Sequence, residues 1–423
     1  MWWRNTRIYL DYASATPVLP EAQAAVNRAS ALFGNPGAVH TEAVAAKALL
    51  EKSRERVAMQ LGCKAREVVF TSGLTEANNL AILGCAKGIA LKNPQGDALK
   101  NTHWLVGSIE HSSVLECFAE VERLGGKVTH IDPDASGIIK PEIVSQALRP
   151  ETVFVSVGWG NNEIGIVQPL KEIAKTIHER SQVIFHSDAG QAPLYLSPQV
   201  HTLGVDLFSL GSGKLYGPRG VGALYINNRV SLAPVTLGGG QERGLRSGTE
   251  EPALAAGFAT AFDIIAGERE TEAKRLQKMR DDLAAQVVAH IPGVILNTDL
   301  KHSLPHMLNI SIPNINAEYL VLALDHASLP AGRQGFALST KSACNEGDAS
   351  SHVVLRLAEA SLCPPKLYAK DGAKAARSPI VEWRAKNTLR ISLGRDTTKN
   401  NLISFAKNLS TGTAALHFLR MVL

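Results

Sequence analysis

Short apolar runs alternate with helical patterns through the first two-thirds of this chain, and that alternation restricts the fold more than any other feature. The runs are EVVFTS (67–72), HWLVGSI (103–109), KVTHID (127–132), TVFVSVG (152–158), VIFHSD (183–188), VDLFSLG (205–211) and VGALYI (221–226). Several are apolar along nearly their whole length, as strands covered on both faces are. Between them lie helices such as SSVLECFAEVERLGG, where Val114, Phe118 and Val121 fall on one face. Such βα alternation predicts an α/β fold with a mostly parallel, helix-covered sheet. After about residue 250 the pattern changes. EPALAAGFATAFDIIAGE and ETEAKRLQKMRDDLAAQVVAHI read as two helices, the second amphipathic through Leu276, Met279, Leu283 and Val287. Two alternating strands follow. MLNISIP puts Leu308, Ile310 and Ile312 on one face. TLRISLG puts Leu389, Ile391 and Leu393 inward, with Arg390 and Ser392 on the other face. A smaller α+β region is expected there. At 423 residues the chain is long enough for two domains.

A net charge of +5 is mild for this length and calls for no nucleic-acid partner. No apolar run approaches the ~18 residues of a membrane span, and MWWRNTRIYLDYASATP lacks a secretory h-region. A cytoplasmic location is expected. The five cysteines, at 63, 85, 117, 344 and 363, form no C-x-x-C pair, so neither a disulfide framework nor a zinc site fits.

In an open parallel sheet, ligands bind beyond the carboxyl ends of the strands. Five polar motifs sit at such ends. TSGLTEANN is a Ser-Gly turn leading into a helix with Thr75 in its first turn, suited to phosphate and equally to ordinary capping. IEHSSV carries His111, and GWGNNEIG carries Asn161 and Asn162. FHSDAGQ places Asp188 at the end of an apolar strand, where a carboxylate needs a positive or hydrogen-bonding partner. SLGSGKLYGPRG carries Lys214. That last stretch is no P-loop: Phe208 stands where the first glycine belongs, and Leu215 replaces the magnesium-binding hydroxyl. A lysine for a Schiff base, an aspartate for a pyridinium nitrogen and a helix start for phosphate together point to pyridoxal phosphate.

The sequence resembles the cysteine desulfurases, within the class V aminotransferase group of fold-type-I pyridoxal phosphate enzymes. The likeness runs through IYLDYASATP, FGNPGAVH, VVFTSGLTEANNLAI, EH, NNEIGIVQP, HSDAGQ, GSGKLYGPRGVGALY, GGGQERGLRSGT, SAC and LRISLGR. It implies a large cofactor-binding domain, placed at 14–260, and a small domain from 1–13 and 261–423. It also implies a homodimer. By motif, Lys214 is similar to the Schiff-base lysine and His111 to the ring-stacking histidine that also handles protons. Asp188 is similar to the pyridinium partner, Gln191 to the contact with the cofactor's hydroxyl oxygen, and Thr75 to a phosphate ligand. Thr249 resembles the residue that reaches the partner subunit's phosphate. Asn162 and Arg390 resemble the residues that hold the substrate carboxylate, a task for which a planar guanidinium fork is suited.

Cys344, in STKSACNEGDASS, carries the distinctive chemistry the resemblance implies. As a thiolate it attacks the sulfur of L-cysteine held on the cofactor, leaving an enzyme persulfide and, after protonation, alanine. The sulfur is then expected to pass to acceptor proteins for iron–sulfur clusters or thiolated tRNA. Cys63, Cys85 and Cys117 read as packing residues. The chain departs from the family in two places. Gly211, Ser212 and Gly213 stand where Ser-x-His usually precedes the lysine, leaving Ser212 as the candidate phosphate hydroxyl. Lys341 replaces a glycine before the cysteine. Two stretches, 328–335 and 363–383, read as surface insertions. The alternatives are a selenocysteine lyase, another class V aminotransferase or lyase reaction, and a scaffold without catalysis.

Overall fold

The protein is described from a computed structural model over residues 7–92, 99–179, 182–326, 335–340, 350–362, 367–368 and 378–422. Its strands, in chain order, are β1 (Arg7–Tyr9), β2 (Val68–Thr71), β3 (His103–Gly107), β4 (Lys127–Ile131), β5 (Thr152–Ser156), β6 (Ile184–Asp188), β7 (Leu207–Gly211), β8 (Gly222–Ile226), β9 (Ile295–Leu296), β10 (Met307–Ser311), β11 (Gly335–Ala337), β12 (Leu367–Tyr368) and β13 (Thr388–Ser392). All seven apolar runs of the first two-thirds are strands of one eight-stranded sheet, ordered β12-β4-β3-β5-β6-β7-β8-β2.

The pairings β4-β3, β3-β5, β5-β6 and β6-β7 are parallel, while β8 runs against both of its neighbours, β7 and β2. Two successive reversals turn β2 the same way as the parallel strands. The carboxyl ends of β2, β3, β5, β6 and β7 therefore lie along one edge, the edge that bears the polar motifs. Strands β2, β3, β7 and β8 are buried at every residue, which explains their lack of alternation. Under the sheet, Trp104 stacks on Phe154 at 5.0 Å, and Phe118 of the helix Ser112–Arg123 meets both rings edge-on. Val114, Phe118 and Val121 form the buried face of that helix, as expected.

The two helices expected after residue 250 are one. Pro252–His290 is continuous over 39 residues, about 58 Å at the helical rise. Its Gly267 lowers helix propensity but has no proline beside it to break the hydrogen-bond ladder. Leu276, Met279, Leu283 and Val287 are buried on it, and the division expected after residue 260 falls within it.

Strands β13, β10 and β9 form an antiparallel sheet. Leu308, Ile310, Leu389 and Ile391 enter the core, as their alternation requires. The opposite face is not solvated either: Asn309, Ser311, Thr388, Arg390 and Ser392 are all buried. Asn297 donates to Asn309 Oδ1 at 2.7 Å and Ser311 Oγ at 2.8 Å. Most polar groups of this face thus find partners within the protein. Most of the two expected insertions lies outside the described residues; of the second, 379–383 begin the helix Pro379–Lys386, with Val381 buried.

Candidate active site

The strand ends enclose a cavity of about 300 Å³ lined by Thr75, His111, Asn162, Asp188, Gln191, Lys214 and Arg390, among others. Seven of the residues singled out in the sequence thus meet in one place, drawn from six separate segments. Each is set there by the strand, turn or helix that carries it.

Asp188 is the last residue of β6. Its Oδ1 accepts the N–H of Gly190 at 2.8 Å, and its Oδ2 accepts Asn78 Nδ2 at 2.7 Å. Lys214 closes a short 3₁₀ turn after β7. Its Nζ donates to the carbonyls of Ala13 at 2.8 Å and Ser14 at 2.7 Å. Gln191 Nε2 donates to the same Ala13 carbonyl at 2.8 Å, leaving its buried Oε1 with no partner among the described residues. Arg390, 1% exposed, sits mid-strand in β13. Its Nη2 donates to Asp11 Oδ1 and Ser14 Oγ, each at 2.7 Å, and its Nη1 to the carbonyl of Asn162 at 3.0 Å. Its Nε is buried and unpartnered among the described residues.

His111 caps the helix Ser112–Arg123, its Nδ1 accepting the N–H of Ser113 at 3.1 Å. Burial lowers its proton affinity. Lys214 and His352 lower it further, against Asp188 and Glu163. Thr75 lies in the first turn of the helix Leu74–Lys92, where main-chain N–H groups have no intrahelical partner. In that turn Glu76 accepts the N–H of Ser72 at 2.5 Å and Arg246 Nε at 2.9 Å. Burial would raise the Glu76 carboxyl, but the bonds from Arg246 and Ser72 outweigh it and hold it below its ordinary value.

Gly211 explains how the helix start reaches the lysine turn. A Cβ there would lie 2.9 Å from Leu74 Cβ, so the serine usual in the family would push the two elements apart. Ser212 is fully buried and lines no part of the cavity. Its Oγ faces Gly217, whose own Cβ would lie 2.2 Å from it. Thr249 is exposed and also lies off the cavity. Cys344 and Lys341 fall outside the described residues.

Sequence reading missed several wall residues. Glu110 lines the cavity, accepts the N–H of Gly158 at 2.9 Å, and is pushed up to about 8 by burial, with Asp188 adding to the rise. The signal in the sequence is its place between the apolar run HWLVGSI and His111. Asn78, in TEANN, and Asp11 and Ser14, in LDYAS, stood inside quoted motifs but have roles only through distant partners. Among the described residues no group of His, Cys, Asp or Glu could hold a metal ion, and no helix is long and apolar enough to cross a membrane.

The family model for class V aminotransferases matches residues 8–405. The cysteine desulfurase IscS of Dictyoglomus turgidum is 34% identical over 397 residues, covering 93% of this chain and 91% of that relative. Among solved structures, a NifS-like protein superposes with a TM-score of 0.81 at 28% identity, covering 96% of this chain and 98% of the other. SspA in complex with cysteine superposes with a TM-score of 0.73 at 31% identity, over 91% and 98% of the two chains.

Proposed function

This chain belongs to the class V aminotransferase family, and within it we propose that the protein is a pyridoxal-phosphate-dependent L-cysteine desulfurase. The observation that carries the reading is the meeting of Lys214, Asp188, His111 and Arg390 on one cavity at the strand ends, in a chain similar over nearly its full length to an IscS cysteine desulfurase.

The walls suit the cofactor. They offer an amine, a carboxylate anchored on both oxygens, a helix start with open N–H groups, and the orphaned Gln191 Oε1. Lys214 would hold the aldehyde carbon, Asp188 the ring nitrogen, Gln191 the ring oxygen, and Thr75 with the helix start the phosphate. His111 would lie against the ring. Thr249, exposed on its loop, would reach the phosphate bound by a second subunit of a homodimer. Bound pyridoxal phosphate supplies an electron sink that weakens bonds around the amino acid's α-carbon.

Arg390 and Asn162 hold the carboxylate of L-cysteine. The guanidinium is pre-set for this by Asp11 and Ser14, with Nε still to be satisfied. Lys214 and His111 move protons at the α- and β-carbons. The Cys344 thiolate attacks the substrate sulfur as the Cβ–S bond breaks. The balance is L-cysteine plus a thiol giving L-alanine plus a persulfide. The described residues on either side of the Cys344 segment pack on elements that carry site residues: Ser339 bridges the main chain of Arg390, and Ser351 Oγ donates to Glu163, next to Asn162, at 2.5 Å. That bracketing supports Cys344 as the sulfur acceptor. From it the sulfur would pass to acceptor proteins serving iron–sulfur clusters or tRNA thiolation, in the cytoplasm. The described cysteines are free thiols, in keeping with a reducing compartment.

The test is to incubate the purified protein with pyridoxal phosphate, L-cysteine and a thiol reductant, and to quantify alanine and sulfide. Equal amounts are expected. Cys344→Ser should abolish both while still binding the amino acid. Pyruvate and ammonia in place of alanine would overturn the proposal.

A further inference from the structure

Two side chains that the proposed reaction does not use, one buried and one half-buried on the cavity wall, connect two that it does. Asn78, fully buried in the helix Leu74–Lys92, divides its Nδ2 between Asp188 Oδ2 at 2.7 Å and Ser113 Oγ at 2.9 Å. Ser113 Oγ is in turn 2.9 Å from His111 Nδ1, and the Ser113 N–H points at the same nitrogen. We infer that Asn78 and Ser113 are positioning residues, a bridge that ties the orientation of the Asp188 carboxylate to the side-chain hydrogen bond that His111 Nδ1 accepts.

The chemistry fixes every direction along the bridge. A main-chain N–H can only donate, so His111 Nδ1 is an acceptor and the neutral ring carries its proton on Nε2. A carboxylate can only accept, so Asn78 presents its NH₂ rather than its carbonyl to Asp188. The amide's second proton goes to Ser113 Oγ, which leaves the serine hydroxyl proton for Nδ1. Asn78 Oδ1 is left buried without a partner among the described residues, so the amide is oriented by the bridge and not by its own full satisfaction. With Asn78 in place, the lone pair of Nδ1 faces donors, and protonation there is disfavoured. A cofactor contact and a proton carrier on different strand ends are thereby set by one amide.

The inference rests on the proposed roles of Asp188 and His111, so its test is made on the full chain without cofactor, where the desulfurase reading does not enter. ¹⁵N-histidine NMR reads the tautomer and pKa of His111, whose signals are assigned by their loss in His111→Gln. Facing that ring are Asp188 on β6, Lys214 on the turn after β7, His352 on the helix His352–Ala360 and Glu163 in the NNEIG turn, with Glu110 adjacent in sequence. The wild-type ring is expected to be Nε2-protonated when neutral. Ser113→Ala removes a donor to Nδ1. Asn78→Leu frees Ser113 Oγ to accept from Nδ1–H and leaves more of the Asp188 charge for the ring. Each should raise the His111 pKa by at least about 0.5, roughly threefold in the protonation equilibrium. The double variant should shift it by less than the sum, and Ser113→Thr, which keeps the hydroxyl, should restore it. Thermal unfolding, followed in parallel, distinguishes a general loss of structure from loss of the bridge. If Asn78→Leu does not fold, Asn78→Ser, too short to reach both partners, replaces it. If neither folds, Ser113→Ala decides. A folded Asn78 variant with wild-type His111 pKa would overturn the inference, as would an unchanged His111 pKa in Ser113→Ala.

Discussion

Glu242→Gln tests what holds the loop that carries Thr249. Glu242 and Arg54 are 5% and 2% exposed. They meet fork to fork, with Arg54 Nη1 to Oε2 at 2.6 Å and Nη2 to Oε1 at 2.8 Å, and Glu242 Oε2 also accepts the N–H of Phe70 at 3.0 Å. The chain pays for this placement with two consecutive left-handed residues, Glu242 at φ +48° and Arg243 at φ +59°. Glutamine keeps the shape and the acceptor for Phe70 but removes the charge. Removing one partner of a buried pair costs about 3–5 kcal/mol because the other charge is left uncompensated. Half-exposed Glu51, 3.2 Å from Arg54 Nε, remains as partial compensation, which places the expected loss near ~3 kcal/mol. Urea unfolding of the cofactor-free protein, read by both tryptophan fluorescence and circular dichroism, gives the shift. The paired replacement Arg54→Met with Glu242→Met should recover most of the loss, falling short by about 1 kcal/mol for the stranded Phe70 N–H. A Glu242→Gln protein within ~1 kcal/mol of wild type, or a double variant no more stable than the single, would refute the argument.

Gly211→Ser should destabilise the protein by about 1–3 kcal/mol and weaken binding of pyridoxal phosphate, because the added Cβ displaces the start of the helix Leu74–Lys92. Unfolding midpoints with and without cofactor check this, and an unchanged cofactor affinity would count against the close approach. Glu110, held at about 8 when folded and ordinary when unfolded, stays protonated in the folded chain between roughly pH 4.5 and 8 while the unfolded chain loses its proton. Its contribution to stability is therefore full below pH 4.5 and lost as pH rises through 8. Glu110→Gln should remove that decline, gaining on wild type by on the order of 3 kcal/mol between pH 5 and pH 8.5. Parallel unfolding curves at the two pH values would show the carboxyl to be ionised throughout.

The strands and the edge bearing the site were legible because burial on both faces leaves long apolar runs, and because polar residues just after such runs have few reasons to be there. Asp188 and Lys214 are the clearest cases. What stayed hidden depends on partners far away in sequence. Glu110 and Asn78 look like ordinary polar residues until β5 and β6 are laid beside them. Arg390 alternates as a solvent-facing residue would, but its face is covered by the NNEIG turn and the segment from Asp11 to Ser14. Ser212 has the right chemistry for phosphate, yet the turn aims it at Gly217. The long helix reads as two because Gly267 and a run of charges resemble a boundary, whereas buried residues on both sides of it hold the helix as one.

Asp11, Ala13 and Ser14 between them engage Lys214, Gln191 and Arg390, and Thr16 engages the main chain of Gly213 and Tyr216. The Asp11–Arg390 bond spans 379 residues of sequence. On the ribosome, where domains fold from the N-terminal side as they emerge, the segment that closes this site emerges ahead of the large sheet and must wait for a strand made after that sheet. The large sheet can be complete while Arg390 is still unsynthesised. The lysine, the glutamine and the arginine therefore come into register only once β13 has been made, and a nascent chain whose large sheet is complete still lacks the Arg390 wall of the cavity.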